Sequence, residues 1–235
     1  MRIRVFLLAA AMIIMITLLP AITACSQEET PLPSLSVEDI ITNTINKLDS
    51  VTSFHFKLAH EGGGTPIAMG LELLEATGDM TKPDKLKTAV SASLSGILVK
   101  VDVITIGSTT YMTNPLTGNW EMLPSDFSAI AVFDPNTGIM SILSGIIDPT
   151  VEEGDNDNKV RYHIKGEIPV ESLRPITLNS IEGTTVIVDI WIDPGDFSID
   201  KVRLEGRITE TEKSGIIRTL EFSDFNKKVE IESPL

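Results

Sequence analysis

Cysteine, aromatic residues and recognisable catalytic motifs are all scarce in this chain. Its one cysteine, Cys25, cannot form a disulfide within the molecule. Neither a G-x-S-x-G nor an H-E-x-x-H pattern occurs, and the three histidines are isolated from one another. Catalysis by a thiol and hydrolysis at a serine or zinc centre are therefore disfavoured.

The rest of the composition is aliphatic and acidic. Aromatic residues make up only 5% of the chain, although 42% of it is hydrophobic. Ile, Leu, Val and Met fill protein cores and also line pockets for alkyl chains, and composition alone does not separate these uses. The net charge is −14, with 33 acidic and 19 basic residues. This excess disfavours binding of nucleic acid, or of anionic headgroups, by charge alone.

The N-terminal residues have the layout of a bacterial export signal. Arg2 and Arg4 precede an uncharged stretch from Val5 to Leu19, and the run Ile22-Thr23-Ala24 leads directly to Cys25. This layout resembles a lipobox, which predicts cleavage before Cys25 and covalent attachment of diacylglycerol to its thiol. Two acyl chains hold a protein stably on a membrane. We therefore expect a lipid-anchored protein on the extracytoplasmic face of the cell membrane.

Two other interpretations of this segment stay open. A plain secretory signal is cleaved after an A-x-A-like site, which residues 21–23 match poorly. A retained transmembrane helix needs about 20 apolar residues, and residues 5–24 reach that length only if Pro20 and the threonines are included. Under the lipoprotein interpretation the chain divides into a signal peptide at residues 1–24, a lipidated cysteine with a flexible tether at 25–35, and a single domain at 36–235.

Hydrophobic periodicity predicts one helix followed by a large antiparallel sheet. Ser36 is a suitable N-cap for a helix over residues 36–49, in which Val37, Ile40 and Ile41 recur at helical spacing. The patterns that follow have a period of two, and short turns join them into a meander. The predicted strands centre on residues 54–58, 67–73, 86–94, 99–103, 109–112, 162–164, 186–192, 202–208, 216–222 and 228–231. The predicted fold class is α+β.

Several segments are predicted to lie outside these strands. Gly78-Asp79 is predicted as a turn, and the acidic stretch Glu152–Asn158 as a loop. Short helices are predicted from Ser125 and over Pro169–Leu173. Gly138–Ile147 contains no charge, and a helix that is apolar nearly all round must be buried or must face an apolar ligand.

No metal-binding or cofactor-binding motif in the sequence is complete. Asp155 and Asp157 begin like a calcium loop, but Lys159 and Val160 stand where a third ligand and a turn glycine are needed. Gly62–Gly64 lacks the Lys-Ser/Thr of a phosphate loop and is typical of a hairpin turn. We expect ordinary strand residues at His55, His60 and His163. The sequence thus predicts no catalytic residue, no metal ligand and no cofactor.

Two motifs resemble a known family. The stretch Gly78–Lys85, followed by Ile106–Trp120, is similar to the LppX/LprAFG family of bacterial lipoproteins, and the likeness extends over residues 36–231. The resemblance implies a half-barrel antiparallel sheet with helices packed on its concave face, similar to lipoprotein carriers of the LolA and LolB type. It also implies an apolar cavity for acylated lipids or glycolipids, and no catalytic residues.

Under this resemblance, specific residues become candidates for contact with lipid. The roof of the cavity is predicted to comprise Ile139, Met140, Ile142, Leu143 and Ile146. The floor is predicted to comprise Leu71, Leu73, Val90, Val101, Val103, Val188 and Ile190. These are assignments by alternation, and a slip of one residue would invert any strand. An ordinary solid core under a twisted sheet would produce the same pattern.

The expected function is that of a membrane-anchored envelope lipoprotein. It would bind an acyl-chain lipid or glycolipid and transport or present it, with an envelope lipid-export protein as a possible partner. Two rivals stay open: an interaction or sensor module with a collapsed interior, and an enzyme that acts on envelope lipids. The enzyme is disfavoured because no pair of nucleophile and base is visible.

Overall fold

The computed structural model describes residues 34–67, 70–123, 139–156, 159–174 and 180–235. These residues fall within one compact unit, Leu32–Leu235. The predicted signal peptide, Cys25 and nearly all of the tether lie outside the described residues. So do Met69 of the third predicted strand, the predicted short helix from Ser125, and Gly138.

The first described element is helix α1, Val37–Ser50, within one residue of its predicted bounds. Ser36 caps it as expected: its Oγ accepts a hydrogen bond from the backbone N–H of Asp39 (3.1 Å) and donates to the Asp39 carboxylate (2.8 Å). Ile40 and Thr44, on the inner face of the helix, are fully buried. An amphipathic helix of this kind is stabilised mainly by the apolar face that it buries.

Within the described residues, twelve strands form a single antiparallel sheet that does not close. The strands are β1 (Ser53–Glu61), β2 (Thr65–Pro66), β3 (Leu71–Thr81), β4 (Lys85–Leu94), β5 (Ile97–Ile106), β6 (Thr109–Thr113), β7 (Trp120–Met122), β8 (Ile147–Asn156), β9 (Lys159–Pro169), β10 (Thr185–Ile192), β11 (Ile199–Glu205) and β12 (Ile217–Ser223). Helix α2 (Ile139–Ser144) precedes β8, and a short 3-10 helix (Val170–Leu173) follows β9. The α+β class and the large curved sheet are confirmed.

The sheet consists of two meanders that meet in the middle. Its order is β7-β6-β5-β4-β3-β1-β12-β11-β10-β9-β8, and β2 pairs with β3 as a side branch. Strand β1 lies between β3 and β12, so the first and last strands of the sheet in sequence are neighbours. Three aromatic side chains pack at this junction. The Phe54 ring meets the Phe222 ring edge to face at 5.6 Å and lies 6.4 Å from the Phe225 ring.

The predicted turn at Gly78-Asp79 is wrong, because both residues lie inside β3. Gly78 faces Phe56 on β1 and Thr88 on β4. A Cβ atom at Gly78 would stand 2.1 Å from the Lys87 carbonyl oxygen. The glycine therefore permits a close approach of two strands, which is its second common use besides turns.

Strand β8 corrects two further predictions. The acidic stretch from Glu152 to Asn156 belongs to this strand and not to a loop. Ile147 is the first residue of the strand, whereas it was predicted as the last residue of the apolar helix. The carboxylates of Glu152 and Glu153 are exposed. Because β8 is an edge strand, charged side chains there remain hydrated and discourage pairing with another chain.

The predicted final strand at residues 228–231 is also wrong, since the described chain after β12 contains no further strand. Asp224 and Asn226 adopt positive φ angles of 56° and 58°, which break the extended conformation. The Asn226 side chain then accepts a hydrogen bond from the backbone N–H of Thr52 (2.8 Å). The C-terminal segment thus packs beside the start of β1 without joining the sheet.

The connection from β3 to β4 also holds the end of helix α1. The Lys82 ammonium donates to the carbonyl oxygens of Leu48 (2.6 Å) and Asp49 (3.1 Å), which belong to the last turn of the helix. Positive charge at this position complements the helix dipole. Partial burial lowers the pKa of Lys82.

We predict that Gly78→Ala destabilises the fold by about 1–3 kcal/mol, because the methyl group would overlap rigid backbone of β4. Gly63→Ala is the matched control, since a Cβ there meets no atom closer than 3.7 Å. Urea denaturation followed by circular dichroism measures both variants. Equal stability of the two variants would show that the close approach at Gly78 is not required.

Candidate functional site

The candidate site is the face of the sheet that the helices cover, which we call the concave face. Strand pairing places Phe54, Met80 and Leu86 side by side on this face, and the same alternation can be followed across every strand. A β-bulge between Leu73 and Glu75 keeps Leu73 and Ala76 on this face although they are three residues apart.

All seven predicted floor residues lie on the concave face by register. The pairs are Leu71 with Leu94, Leu73 with Ala92, Val90 with Val101, Val103 with Met112, Val188 with Leu204, and Ile190 with Val202. They belong to different parts of the interior. Val188 and Ile190 are fully buried in the main hydrophobic cluster, whereas Val101 and Val103 form a smaller cluster with Met112.

Val90 connects the two clusters because it packs against both. It belongs to a row of paired apolar residues that crosses the middle of the concave face, which we call the apolar row: Val202, Leu220, Leu58, Ala76, Val90 and Val101. Leu58, Leu220 and Val90 are only half-buried, although the fully buried residues Ile190 and Leu86 lie on the same face. Aliphatic surface therefore remains accessible in the middle of a covered face.

The predicted roof residues belong to helix α2 and the residues after it. Ile139, Ile142 and Leu143 are buried in the main cluster, together with Val188 and Ile190. Ile146 packs against the same cluster and is half-buried, and Met140 is also half-buried. The helix is shorter than predicted, with six residues.

Gly166 lets the chain after α2 lie close to the sheet. It pairs with Val188 on the concave face. A Cβ atom at Gly166 would stand 2.4 Å from the Ile146 Cγ2 atom and 2.9 Å from the carbonyl oxygen of Ile147. Glycine at this position thus makes room for the Ile146 side chain.

A buried polar cluster closes one end of the concave face. His60, at the end of β1, pairs with Arg218 at the start of β12. The hydroxyl of Thr65 accepts from Arg218 Nε (2.8 Å) and lies 2.9 Å from His60 Nε2. Arg218 forms an ion pair with Glu212, whose side chain is fully buried. Arg218 Nη1 also donates to the carbonyl oxygen of Gly206 (3.0 Å).

The sequence reasoning missed this cluster and treated His60 as isolated. One signal was available: Arg218 interrupts the apolar positions Ile216, Leu220 and Phe222 on an inward-facing strand. An arginine on that face must be paired, because an unpaired buried charge is very unfavourable. The Glu212 carboxylate meets this need and also accepts from the backbone N–H of Ile208 (2.7 Å).

The other two histidines lie on the opposite, convex face. His55 Nδ1 lies 2.8 Å from an Asp79 carboxylate oxygen. His163 Nε2 lies 2.9 Å from Asp189 Oδ1, and its ring stacks on Trp191 with centroids 4.3 Å apart. Neither histidine is isolated, so the expectation of simple strand residues understated their pairing. Within the described residues, no cluster of His, Cys, Asp and Glu has an arrangement that could hold a metal ion.

We predict that Glu212→Ala destabilises the protein by about 3–5 kcal/mol, because it leaves the buried Arg218 charge unpaired. The matched control is Lys227→Ala, which removes an exposed ion pair with Asp224 (2.6 Å) and should change the stability little. Urea denaturation at neutral pH distinguishes the two. A cost at Glu212 as small as at Lys227 would contradict a buried ion pair.

We also predict a pH dependence from His60. Burial, followed by the nearby Arg218 charge, lowers the pKa of His60 below 6.5, while the Leu74 carbonyl and the Glu212 and Glu72 carboxylates act in the opposite direction. The neutral ring therefore contributes stability above pH 6.5 that is lost as the pH falls through the lowered pKa.

The measurement compares stability at pH 7.5 and at pH 5.5 by urea denaturation. His60→Gln should lose less stability on acidification than the unmodified protein, by up to about 1.4 kcal/mol per pH unit. The control is His55→Gln, which makes the same replacement on the convex face, outside this cluster. Identical acid sensitivity of the unmodified protein and His60→Gln would contradict the assignment.

Comparisons with known proteins agree with this architecture. The family model for the LppX_LprAFG lipoproteins matches residues 36–231. The structure of LprF from Mycobacterium bovis superimposes with a TM-score of 0.67 at 15% identity, covering 87% of this chain and 99% of LprF. LppX from Mycobacterium tuberculosis gives a TM-score of 0.60 at 16% identity, covering 83% of this chain and 98% of LppX.

A LolA superfamily protein from Nitrosomonas europaea aligns with a TM-score of only 0.26, which is too low to indicate a shared fold. No curated protein gives a significant sequence match. In the described part of the chain, no helix is long and apolar enough to cross a bilayer. Because the family model matches most of the chain and two members share its fold, this protein belongs to the LppX_LprAFG lipoprotein family.

Proposed function

We propose that this protein is a lipid-anchored carrier that holds an acylated lipid or glycolipid against the concave face and transports or presents it in the cell envelope. The anchor is the diacylglycerol on Cys25, and it holds the domain on the extracytoplasmic face of the membrane. The apolar row is the main structural support for this proposal. Half-buried aliphatic side chains in the middle of a covered face offer a surface that suits alkyl chains and that water hydrates poorly.

The energetics are compatible with binding by shape and apolar contact. Burial of about 400 Å² of alkyl surface contributes roughly 10 kcal/mol at about 25 cal/mol per Å². The cost of association, about 4–15 kcal/mol, is of the same order, so the affinity depends on how much alkyl surface the protein covers. Such binding needs no catalytic group and no ion pair with the ligand. This agrees with the buried polar cluster on the concave face, in which Arg218 is already bound by Glu212 and Thr65.

The roof residues give the proposal a mechanism for lipid exchange. Helix α2 has only six residues, and the Ile146 side chain rests above a glycine instead of interlocking with a side chain of β9. Movement of this segment away from β9 would expose Val188 and Ile190 without breaking any strand pairing. An envelope lipid-export protein is the kind of partner that would load or unload such a carrier.

We predict that a lipid copurifies with the protein when its anchor is removed. The Cys25→Ser variant, expressed with its signal segment, cannot be acylated at that position, so any lipid found is bound non-covalently. Native mass spectrometry should detect a stoichiometric adduct, and lipid extraction should identify it. Val90→Asp in this background should reduce occupancy at least tenfold, because it places a charge in the middle of the apolar row.

The matched control is Ile187→Asp, which adds the same charge at a 49% exposed position on the convex face and should retain the lipid. Thermal melts followed by circular dichroism establish that each variant is folded. A clean apo mass for Cys25→Ser that persists after incubation with dispersed envelope lipids would overturn the proposal. It would favour the alternative of an interaction module with a collapsed interior.

A further inference from the structure

The outer half of the β4–β5 hairpin is uncharged on both of its faces. Twelve consecutive residues, Thr88–Val99, carry no charge in a chain with 33 acidic and 19 basic residues. The first charges on either side are Lys87 on β4 and Lys100 on β5, and both are exposed. This hairpin therefore presents an apolar end on a protein that is acidic overall, and Lys100 is the charged residue nearest to that end on β5.

A tight turn brings large aliphatic side chains to the end of this hairpin. Ser95 and Gly96 both have positive φ angles, 52° and 85°, as in the two-residue turns that connect hairpin strands. Leu94 and Ile97 are paired directly across the turn. The side chains of Ile97 and Leu98 are 69% and 64% exposed. We call residues Leu94–Leu98 the hairpin tip.

The hairpin tip is continuous with the apolar row. On the concave face, the pair Leu94–Ile97 is followed by Ala92–Val99 and then by Val90–Val101, which belongs to the row. Along β5 the exposure falls from 69% at Ile97, through half-buried Val99, to 4% at Val101. An apolar path thus leads from solvent at the tip to the interior of the concave face.

On the concave face, the neighbouring strand β3 adds no charge to this path. On β3, Leu71 pairs with Leu94 and is buried. Glu72 is the nearest acidic residue across the pairing, opposite Ser93, and its carboxylate accepts a hydrogen bond from the backbone N–H of Gly64 (2.8 Å). The acidic side chain at this edge of the tip is therefore held by the protein's own backbone.

The length of the N-terminal tether makes contact with a bilayer possible. Eight residues lie between Cys25 and Ser34, where the described structure begins, which makes nine steps from one Cα atom to the next. An extended chain spans at most about 3.3–3.6 Å per residue, so the tether reaches roughly 30 Å. A domain anchored through Cys25 would stay within that distance of the membrane surface, and its exposed apolar residues would meet the bilayer repeatedly.

We propose that the hairpin tip docks into the surface of a lipid bilayer and that acyl chains pass along the β4–β5 path between the bilayer and the apolar row. This inference rests on the proposed carrier function and adds a site and a membrane partner to it. Ile97 and Leu98 enter the headgroup region, where apolar side chains are stabilised. Lys100, three residues from Ile97 on β5, lies roughly 10 Å from the tip along the strand, where its ammonium can meet lipid phosphates.

Docking is tested first, by a measurement that does not depend on lipid carriage. In the Cys25→Ser background, Leu98→Cys supplies the only thiol, which is labelled with the environment-sensitive fluorophore NBD. Vesicles of phosphatidylcholine and phosphatidylglycerol at a 4:1 ratio should shift its emission to the blue and increase its intensity at least twofold. The control is Leu116→Cys labelled in the same way, since Leu116 is 88% exposed in the β6–β7 turn without apolar neighbours of this kind. Equal responses at the two positions, or none at position 98, would overturn docking.

Passage of lipid is tested separately with the same vesicles, which now contain NBD-phosphatidylethanolamine and a rhodamine-lipid quencher. Transfer to the protein restores NBD emission. The double change Ile97→Asp and Leu98→Asp should slow transfer at least tenfold, while leaving unchanged the final occupancy with lipid supplied from detergent. Leu116→Asp should transfer at the rate of the parent protein.

The outcomes separate the two proposals. If the carrier function fails, no variant takes up lipid from detergent, whereas the fluorescence at position 98 still reports whether the tip docks. If only the path fails, the tip variant takes up lipid from vesicles as fast as the Leu116→Asp control. If the double change also lowers the final occupancy from detergent, the tip is part of the binding surface and not a path to it, which contradicts the inference.

Discussion

The pairing of β1 with β12 is the constraint on which the rest of the structure depends. It joins the two meanders into one sheet, and the rings of Phe54, Phe222 and Phe225 pack together there. Once this register is set, Phe56 and Leu58 must face the same side as Phe222 and Leu220. Every strand outward from the junction inherits this choice, so the apolar row continues on one face from β11 to β5. Strands β7 and β8 form the two unpaired edges, and helix α2 lies in the chain between them.

The concave face of this sheet suits the carrier function that we propose. Its charged groups on the concave face are occupied with one another: Arg218 is held by Glu212, Thr65 and the Gly206 carbonyl, and His60 by Thr65 and Leu74. A paired and buried cluster stabilises one end of the fold and does not present an activated nucleophile. What the face offers instead is aliphatic surface, half-buried in the apolar row and exposed at the hairpin tip.

Much of this fold could be predicted from local patterns, because alternation and capping are local. The helix bounds, the β4–β5–β6 meander and the β10–β11 hairpin follow from period and turn residues. The predictions were wrong where packing between residues distant in sequence determines the local structure. Gly78 looks like a turn until the close approach of Lys87 is known, and the acidic residues of β8 look like a loop until the strand is found at an edge. Pairing of His60 with Arg218 joins residues far apart in sequence, so no local pattern could predict it.

Photo-crosslinking would show whether acyl chains lie along the apolar row. A lipid that carries a diazirine on its acyl chain would be loaded onto the Cys25→Ser protein, irradiated, and mapped by peptide mass spectrometry. We expect labels on concave-face residues of β1, β4 and β12, including Leu58, Val90 and Leu220, and none on convex-face residues such as Trp191. Labels confined to the convex face, or a protein that takes up no probe, would contradict this expectation.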